Sequence, residues 1–256
     1  MIAATVVTPS TPPSAAQRSP DHLSHSQVQE FTLCPRRWRF NKIENAPREQ
    51  VGSALVFGAA VHDTIAAVNE AALHGERIDA PAHFLTAWKR AVADANAPIH
   101  FGKDDGDDLI AKGRSLVGIY TPPPGIIGVE QPFEVELAPD LPIVQGRIDL
   151  VRAEGETLIL ADIKTAAART LTDTHAVEAQ LALYDLAYPA SRHEVIVAAK
   201  LKNPVITVQP ITPWPIATLV RHYREVHHGM ASGVRYGVRG WQCEGCSFAS
   251  RCRKEG

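Results

Sequence analysis

The placement of the cysteines constrains this chain more than any other feature. The sequence holds 256 residues and 4 cysteines. Cys34 stands alone in Leu33-Cys34-Pro35-Arg36-Arg37, and Cys243, Cys246 and Cys252 form C-x2-C-x5-C at the far end. Four thiolates are the usual complement of a structural zinc or an iron–sulphur cluster. If they share one site, the two ends of the chain are tied together and everything between them is closed into one unit.

Composition fits that reading. The chain is 45% hydrophobic and 21% charged, ordinary for a globular protein large enough to bury a sizeable core. No apolar run approaches the roughly 20 residues of a membrane helix, so no membrane role is expected. The first twenty residues are small and rich in Pro, Ser and Thr. They predict a disordered tail over 1–20, without the basic start and apolar core of a signal peptide. A cytoplasmic setting follows, in which a cysteine set points to metal rather than to disulfides. A formal net charge of −2 gives no general attraction to nucleic acid, so any such binding needs local basic patches. There is no G-x-x-x-x-G-K-[ST] phosphate loop and hence no helicase motor.

The periodicity changes once along the chain. Ser24 to Ile43 reads as helical, with Pro35 opening a second helix. Val56–His74, Ala82–Ala95 and Asp107–Tyr120 follow as helices. Ile126–Leu137, Ile143–Ala153 and Thr157–Ile163 are rich in Val, Ile and Leu and read as antiparallel strands, with Glu154-Gly155-Glu156 as the last turn. Thr174–Tyr188 is a helix, Glu194–Leu201 and Val205–Gln209 are strands, and Pro215–Ala231 is a helix. This order predicts an α/β sandwich, one domain over 21–256.

The central hairpin carries the chemistry. Its strands read Gly146-Arg147-Ile148-Asp149 and Leu158-Ile159-Leu160-Ala161-Asp162-Ile163-Lys164-Thr165. Side-chain alternation places Asp162 and Lys164 on one face with Leu158 and Leu160, in a strand apolar on both faces. Asp and Lys are costly there without compensation. The hairpin can bring Asp149 beside Asp162, and two carboxylates in a dry setting need a proton or a cation between them. Hard oxygen ligands suit magnesium or manganese. A structural Asp–Lys salt bridge explains the hairpin alone equally well. His62, a polar ring in an Ala/Val helix face, is a candidate third ligand that favours manganese. Gln180 and Tyr184 share a helix face at i and i+4.

In order, spacing and context, His62, Gly146-Arg147-Ile148-Asp149, Asp162-Ile163-Lys164-Thr165 and Gln180-Leu181-Ala182-Leu183-Tyr184 resemble the PD-(D/E)XK nucleases of the RecB type. Cys34, with the terminal C-x2-C-x5-C, looks like the iron–sulphur branch, which includes CRISPR-associated RecB-like exonucleases and the AddB nuclease domain. The resemblance runs from about Ser24 to Cys252. It implies a restriction-endonuclease-like core, a central mixed sheet flanked by helices. It also implies that His62, Asp149, Asp162 and the Ile163 backbone carbonyl hold the catalytic Mn2+ or Mg2+. Lys164 would stabilise charge on the scissile phosphate, while Gln180 and Tyr184 brace the site. Glu130 is a candidate additional acid, in competition with Glu134 and Glu136.

Cys34, Cys243, Cys246 and Cys252 would hold a [4Fe-4S] cluster, with structural Zn2+ as the alternative. Arg36, Arg37, Arg39, Arg251, Arg253 and Lys254 would offset its charge, and Trp38, Trp241 and Phe248 would shield it. The resulting expectation is a metal-dependent DNA exonuclease acting on single-stranded ends. A helicase or a recombination, repair or CRISPR adaptation component is its implied partner. The rivals are a catalytically silent DNA-binding scaffold and a structure-specific endonuclease.

Overall fold

The computed structural model describes residues 21–255, so the expectation for the tail over 1–20 lies outside the described residues. Helix α1 (His25–Leu33) is capped by the Ser24 hydroxyl, which accepts from the Gln27 amide. Cys34 ends α1 and opens α2 (Pro35–Trp38), with Pro35 at the first helical position as its fixed φ favours. A single π turn, Arg39–Ile43, follows. Helices α3 (Ser53–Leu73), α4 (Ala80–Asp94) and α5 (Gly106–Gly118) form one layer. Two short strands, β1 (Val51–Gly52) and β2 (Ile99–His100), pair in parallel beside them. Two residues carry no periodicity, which is why neither strand is legible in the sequence.

Five strands make the main sheet: β3 (Ile126–Val135), β4 (Val144–Glu154), β5 (Thr157–Ala166), β6 (Arg192–Ala199) and β7 (Val205–Pro210), in that spatial order. Only the β5–β6 pair is parallel, joined through α6 (His175–Ala187), so the sheet is mixed, as expected. Gly155 takes φ 61° in the tight β4–β5 turn, a conformation that glycine adopts without strain. Strand β5 runs to Ala166, three residues beyond the predicted end at Ile163, because its second half pairs with β6 rather than β4.

Alternation along β5 and β6 feeds two cores. Leu160, Val195 and Val197 face α1, α6 and α7 (Ile216–Ala231), whereas Ala161, Ile163 and Ile196 face α3 to α5. The β3–β4 ribbon departs from this pattern. Val129 and Leu150, which pair with each other, belong to the α3 side, yet Phe133 and Ile148 belong to the α6 side. The ribbon therefore changes face between them, and Glu130 in between has φ 49°. A left-handed backbone costs a non-glycine residue about 1–2 kcal/mol, so the surrounding structure must hold it. At the same level β4 leaves β5, since their pairing ends at Leu150 opposite Ala161. Asp149 stands at that fork.

A third, small core of Phe40, Ala46 and Phe248, with Cys246 and Cys252 against it, joins the two ends of the described chain. The Glu49 carboxylate accepts from the Ser250 and Arg251 amides at the start of α8 (Ala249–Lys254).

His25, at the start of α1, lies 3.3 Å from the Tyr223 hydroxyl through Nδ1. Burial, then the charges of Lys164 and His222, lowers its imidazole to about 3. An unfolded histidine titrates near 6.5, so between these values the unfolded chain binds more protons and stability falls as pH falls. Urea unfolding of the wild type is expected to lose stability more steeply between pH 6.5 and 4 than unfolding of His25→Gln. Parallel slopes would remove His25 from the acid response.

Candidate active site

At the fork, the amide of Ile163 has no β4 carbonyl to bond. It donates instead to Asp149 Oδ2 at 2.8 Å. A side-chain carboxylate thus continues the ladder where the backbone has turned away, and that bond fixes Asp149 against β5. Tyr184, on α6, reaches across with its hydroxyl 3.3 Å from Asp149 Oδ1 and 3.5 Å from Asp162 Oδ1. The two acids therefore converge on a single phenol, as the hairpin predicts. Burial, and then the two carboxylates, hold that phenol well above its ordinary value, so it stays a donor.

Lys164 closes the arrangement. Its Nζ donates to Asp162 Oδ1 and to Gln180 Oε1, both at 2.9 Å. Gln180 Nε2 donates in turn to the Tyr184 hydroxyl at 2.8 Å. An ammonium can only donate, so the amide oxygen of Gln180 must face Lys164 and its nitrogen must face Tyr184. One turn of α6 thereby links Lys164 to Tyr184, and the i, i+4 pair acts as one brace.

On the other side of Asp149 stands His62, from α3, with Nε2 at 3.0 Å from Asp149 Oδ2 and Nδ1 at 3.6 Å from Glu130 Oε1. One ligand atom each from His62, Glu130 and Asp149 lies within 4.8 Å of the others, the one such metal-competent group among the described residues. Glu130 Oε1 is buried and has no hydrogen-bond partner. An orphaned carboxylate oxygen beside a second carboxylate and an imidazole fits a divalent ion. The face change in β3 is what turns Glu130 inwards. Glu134 instead accepts from Gln145 on the exposed side at 2.8 Å, and Glu136 lies exposed beyond the end of β3.

The charges are arranged around one centre. Burial would push Asp149 up, but the His62 hydrogen bond and charge, Lys164 and the Ile163 amide hold it below its usual value. Burial raises Asp162, fully enclosed, to about 6 against the pull of Lys164. His62 is raised: burial opposes its charge, and the Asp149 bond with the Asp149, Glu130 and Asp162 charges outweighs burial. Burial raises Glu130 as well, and the nearby charge of Asp149 adds to this. When protonated, His62 fills the need for a cation between Glu130 and Asp149. A metal ion meets the same need and displaces that proton. Asp162 lies outside the His62–Glu130–Asp149 group, deeper and engaged by Lys164, so the expected ligand set and the observed cluster differ in their second acid.

None of the four cysteines is in a disulfide, and all four line one cavity of about 400 Å³. A zinc–thiolate tetrahedron with bonds of about 2.3 Å needs sulphurs under about 4 Å apart. No three cysteine sulphurs lie within 4.8 Å of one another among the described residues. Arg36 Nη1 lies 3.7 Å from Cys252 Sγ, and Arg37 and Arg253 also line the cavity. Arg39 and Arg251 are paired with Glu44 and Glu255. Phe248 packs at the cavity, but Trp38 is buried against Phe31 in the main core and Trp241 is 83% exposed. Neither tryptophan is placed to shield the thiols.

A family model described as the PD-(D/E)XK nuclease superfamily matches residues 22–253. The chain belongs to that superfamily. No curated protein matches it. Among solved structures, a protein from Eubacterium rectale named as a candidate exonuclease is 13% identical, with a TM-score of 0.57 over 92% of this chain and 88% of its own. The crystal structure of SSO0001 is 16% identical, with a TM-score of 0.47 over 93% and 89% of the two chains. At this identity the Eubacterium rectale protein is alike in fold.

If Glu130 is a ligand, Glu130→Gln weakens Mn2+ binding, measured calorimetrically, on the order of tenfold or more, while Glu134→Gln leaves it unchanged. Because a metal ion competes with a proton for His62, binding is expected to tighten as pH rises. Equal affinities for the two variants would return Glu130 to a structural role.

Proposed function

We propose that this protein is a divalent-metal-dependent deoxyribonuclease, an exonuclease favouring single-stranded DNA ends. The observation that carries the reading is the convergence of Asp149 and Asp162 on one phenol, with Lys164 bonded beside them and His62 and Glu130 opposite. The name borne by the Eubacterium rectale protein of like fold agrees with it.

His62, Asp149 and Glu130 would hold Mn2+ or Mg2+, with Asp162 and the Ile163 carbonyl as the further ligands that the family resemblance implies. When bound, such an ion polarises a phosphate oxygen and makes the attacking water more acidic. Lys164 Nζ, 2.8 and 2.9 Å from the two Asp162 oxygens and 2.9 Å from Gln180 Oε1, would bring its positive charge to the phosphoryl oxygen on which charge builds. Gln180 and Tyr184 keep that ammonium and both carboxylates in register, so the site needs little reorganisation when a substrate arrives.

The four cysteines would hold a [4Fe-4S] cluster that fastens α2 to the C-terminal segment, with Arg36 offsetting its charge. It would act as a structural staple of one nuclease domain over 21–256, in a cytoplasmic compartment that keeps thiols reduced. A helicase or a recombination or CRISPR adaptation component would supply the ends. A silent scaffold has no use for a fully buried Asp162 and a strained Glu130.

Purified without oxygen and offered end-labelled single-stranded DNA with Mn2+, the protein is expected to digest it. Lys164→Ala lowers the rate by about a hundredfold or more, and Asp149→Ala and Asp162→Ala abolish it, with folding retained by circular dichroism. Normal cutting by these variants would remove the assignment. The anaerobic protein is also expected to be brown, and Cys34→Ser to lose the colour and several degrees of thermal stability. A colourless protein with stoichiometric zinc would replace the cluster without touching the nuclease reading.

A further inference from the structure

The cleft in front of the acids, about 570 Å³, is rich in groups that repel phosphate, with Asp63, Glu130 and the neighbouring Asp149 all at hand. Besides His62, two basic side chains line it. Lys164 is already bonded to Asp162 and Gln180. Arg147 is exposed on β4, two residues before Asp149, and has no hydrogen bond or ion pair among the described residues. Its charge acts on Glu130 across the cleft but makes no direct ion pair there, so the guanidinium fork is available for another anion.

Its position adds a direction. A second depression beside the cleft is lined by His22, Ser24, Gln145 and Gly146, and Arg147 is the residue that the two hollows share. Resting on the nuclease reading above, we propose that Arg147 grips a backbone phosphate of the DNA strand where it passes from the metal cleft into this second hollow. A planar guanidinium fork suits two phosphate oxygens at once, whereas an ammonium offers only a point charge. Arg147 is thus a substrate-positioning residue, and it gives the strand a defined path across the β3–β4 ribbon. Its side chain reaches solvent, so its removal leaves no hole in either core.

The test is fluorescence anisotropy with a labelled oligothymidylate, calcium replacing manganese to prevent cutting, over a series of salt concentrations. Arg147→Ala is expected to raise Kd about tenfold and to lower the slope of log Kd against log salt by about 0.7, one phosphate's worth for a single strand. Arg147→Lys should keep the slope and recover only part of the affinity. Cleavage under Mn2+ should show the loss mainly in KM. A wild type that binds and cuts while Arg147→Ala matches it in Kd and slope overturns the proposal and spares the nuclease. Loss of Mn2+ affinity in Arg147→Ala also overturns it, since the residue would then act through Glu130. A wild type that neither binds nor cuts DNA overturns both.

Discussion

The bond from the Ile163 amide to Asp149 Oδ2 does two jobs that are seldom joined. Where β4 and β5 part, the sheet would otherwise expose an unpaired donor in a dry interior, which costs about 1–3 kcal/mol. The carboxylate satisfies it and is thereby held at the mouth of the fork. The same oxygen faces His62, and its partner faces Tyr184. Every other member of the site is placed relative to this one side chain, from α3 on one side of the sheet and from α6 on the other.

Electrostatics then explains why the neighbours are what they are. Asp149 and Asp162 cannot both be anionic in a buried space without positive charge near each. Lys164 serves Asp162 and His62 serves Asp149, and the two cations lie on opposite flanks. Tyr184 donates into the space between the acids and, being held neutral, adds no further charge. A bare salt bridge, the plain alternative for the hairpin, accounts for Asp162 and Lys164. It leaves unexplained the buried, unbonded oxygen of Glu130.

Much of this was legible in the sequence, for an identifiable reason. Asp149, Asp162 and Lys164 interrupt strands that are otherwise apolar on both faces, and His62 interrupts a helix face of Ala and Val, so each stands out against its pattern. Gln180 and Tyr184 follow from helical spacing. Glu130 does not stand out, because its direction depends on one left-handed residue and a ribbon that changes face. In Glu130, Glu134 and Glu136 alternation alone offers three equivalent acids. The shielding tryptophans fail for a similar reason: Trp38 lies on the inner face of its short helix and Trp241 in an exposed 3-10 turn, and nearness in sequence to a cysteine says nothing of this. Arg147 was visible as part of a motif but had no pattern to mark it as unpaired.

Helix α1 begins at His25, whose titration feels the charge of Lys164, and is closed by Cys34, which lines the thiol cavity. Its 9 residues amount to about 13 Å of rigid rod. No loop separates the sulphur end of the helix from His25. The thiol cavity and the neighbourhood of Lys164 are thus met at the two ends of one helix.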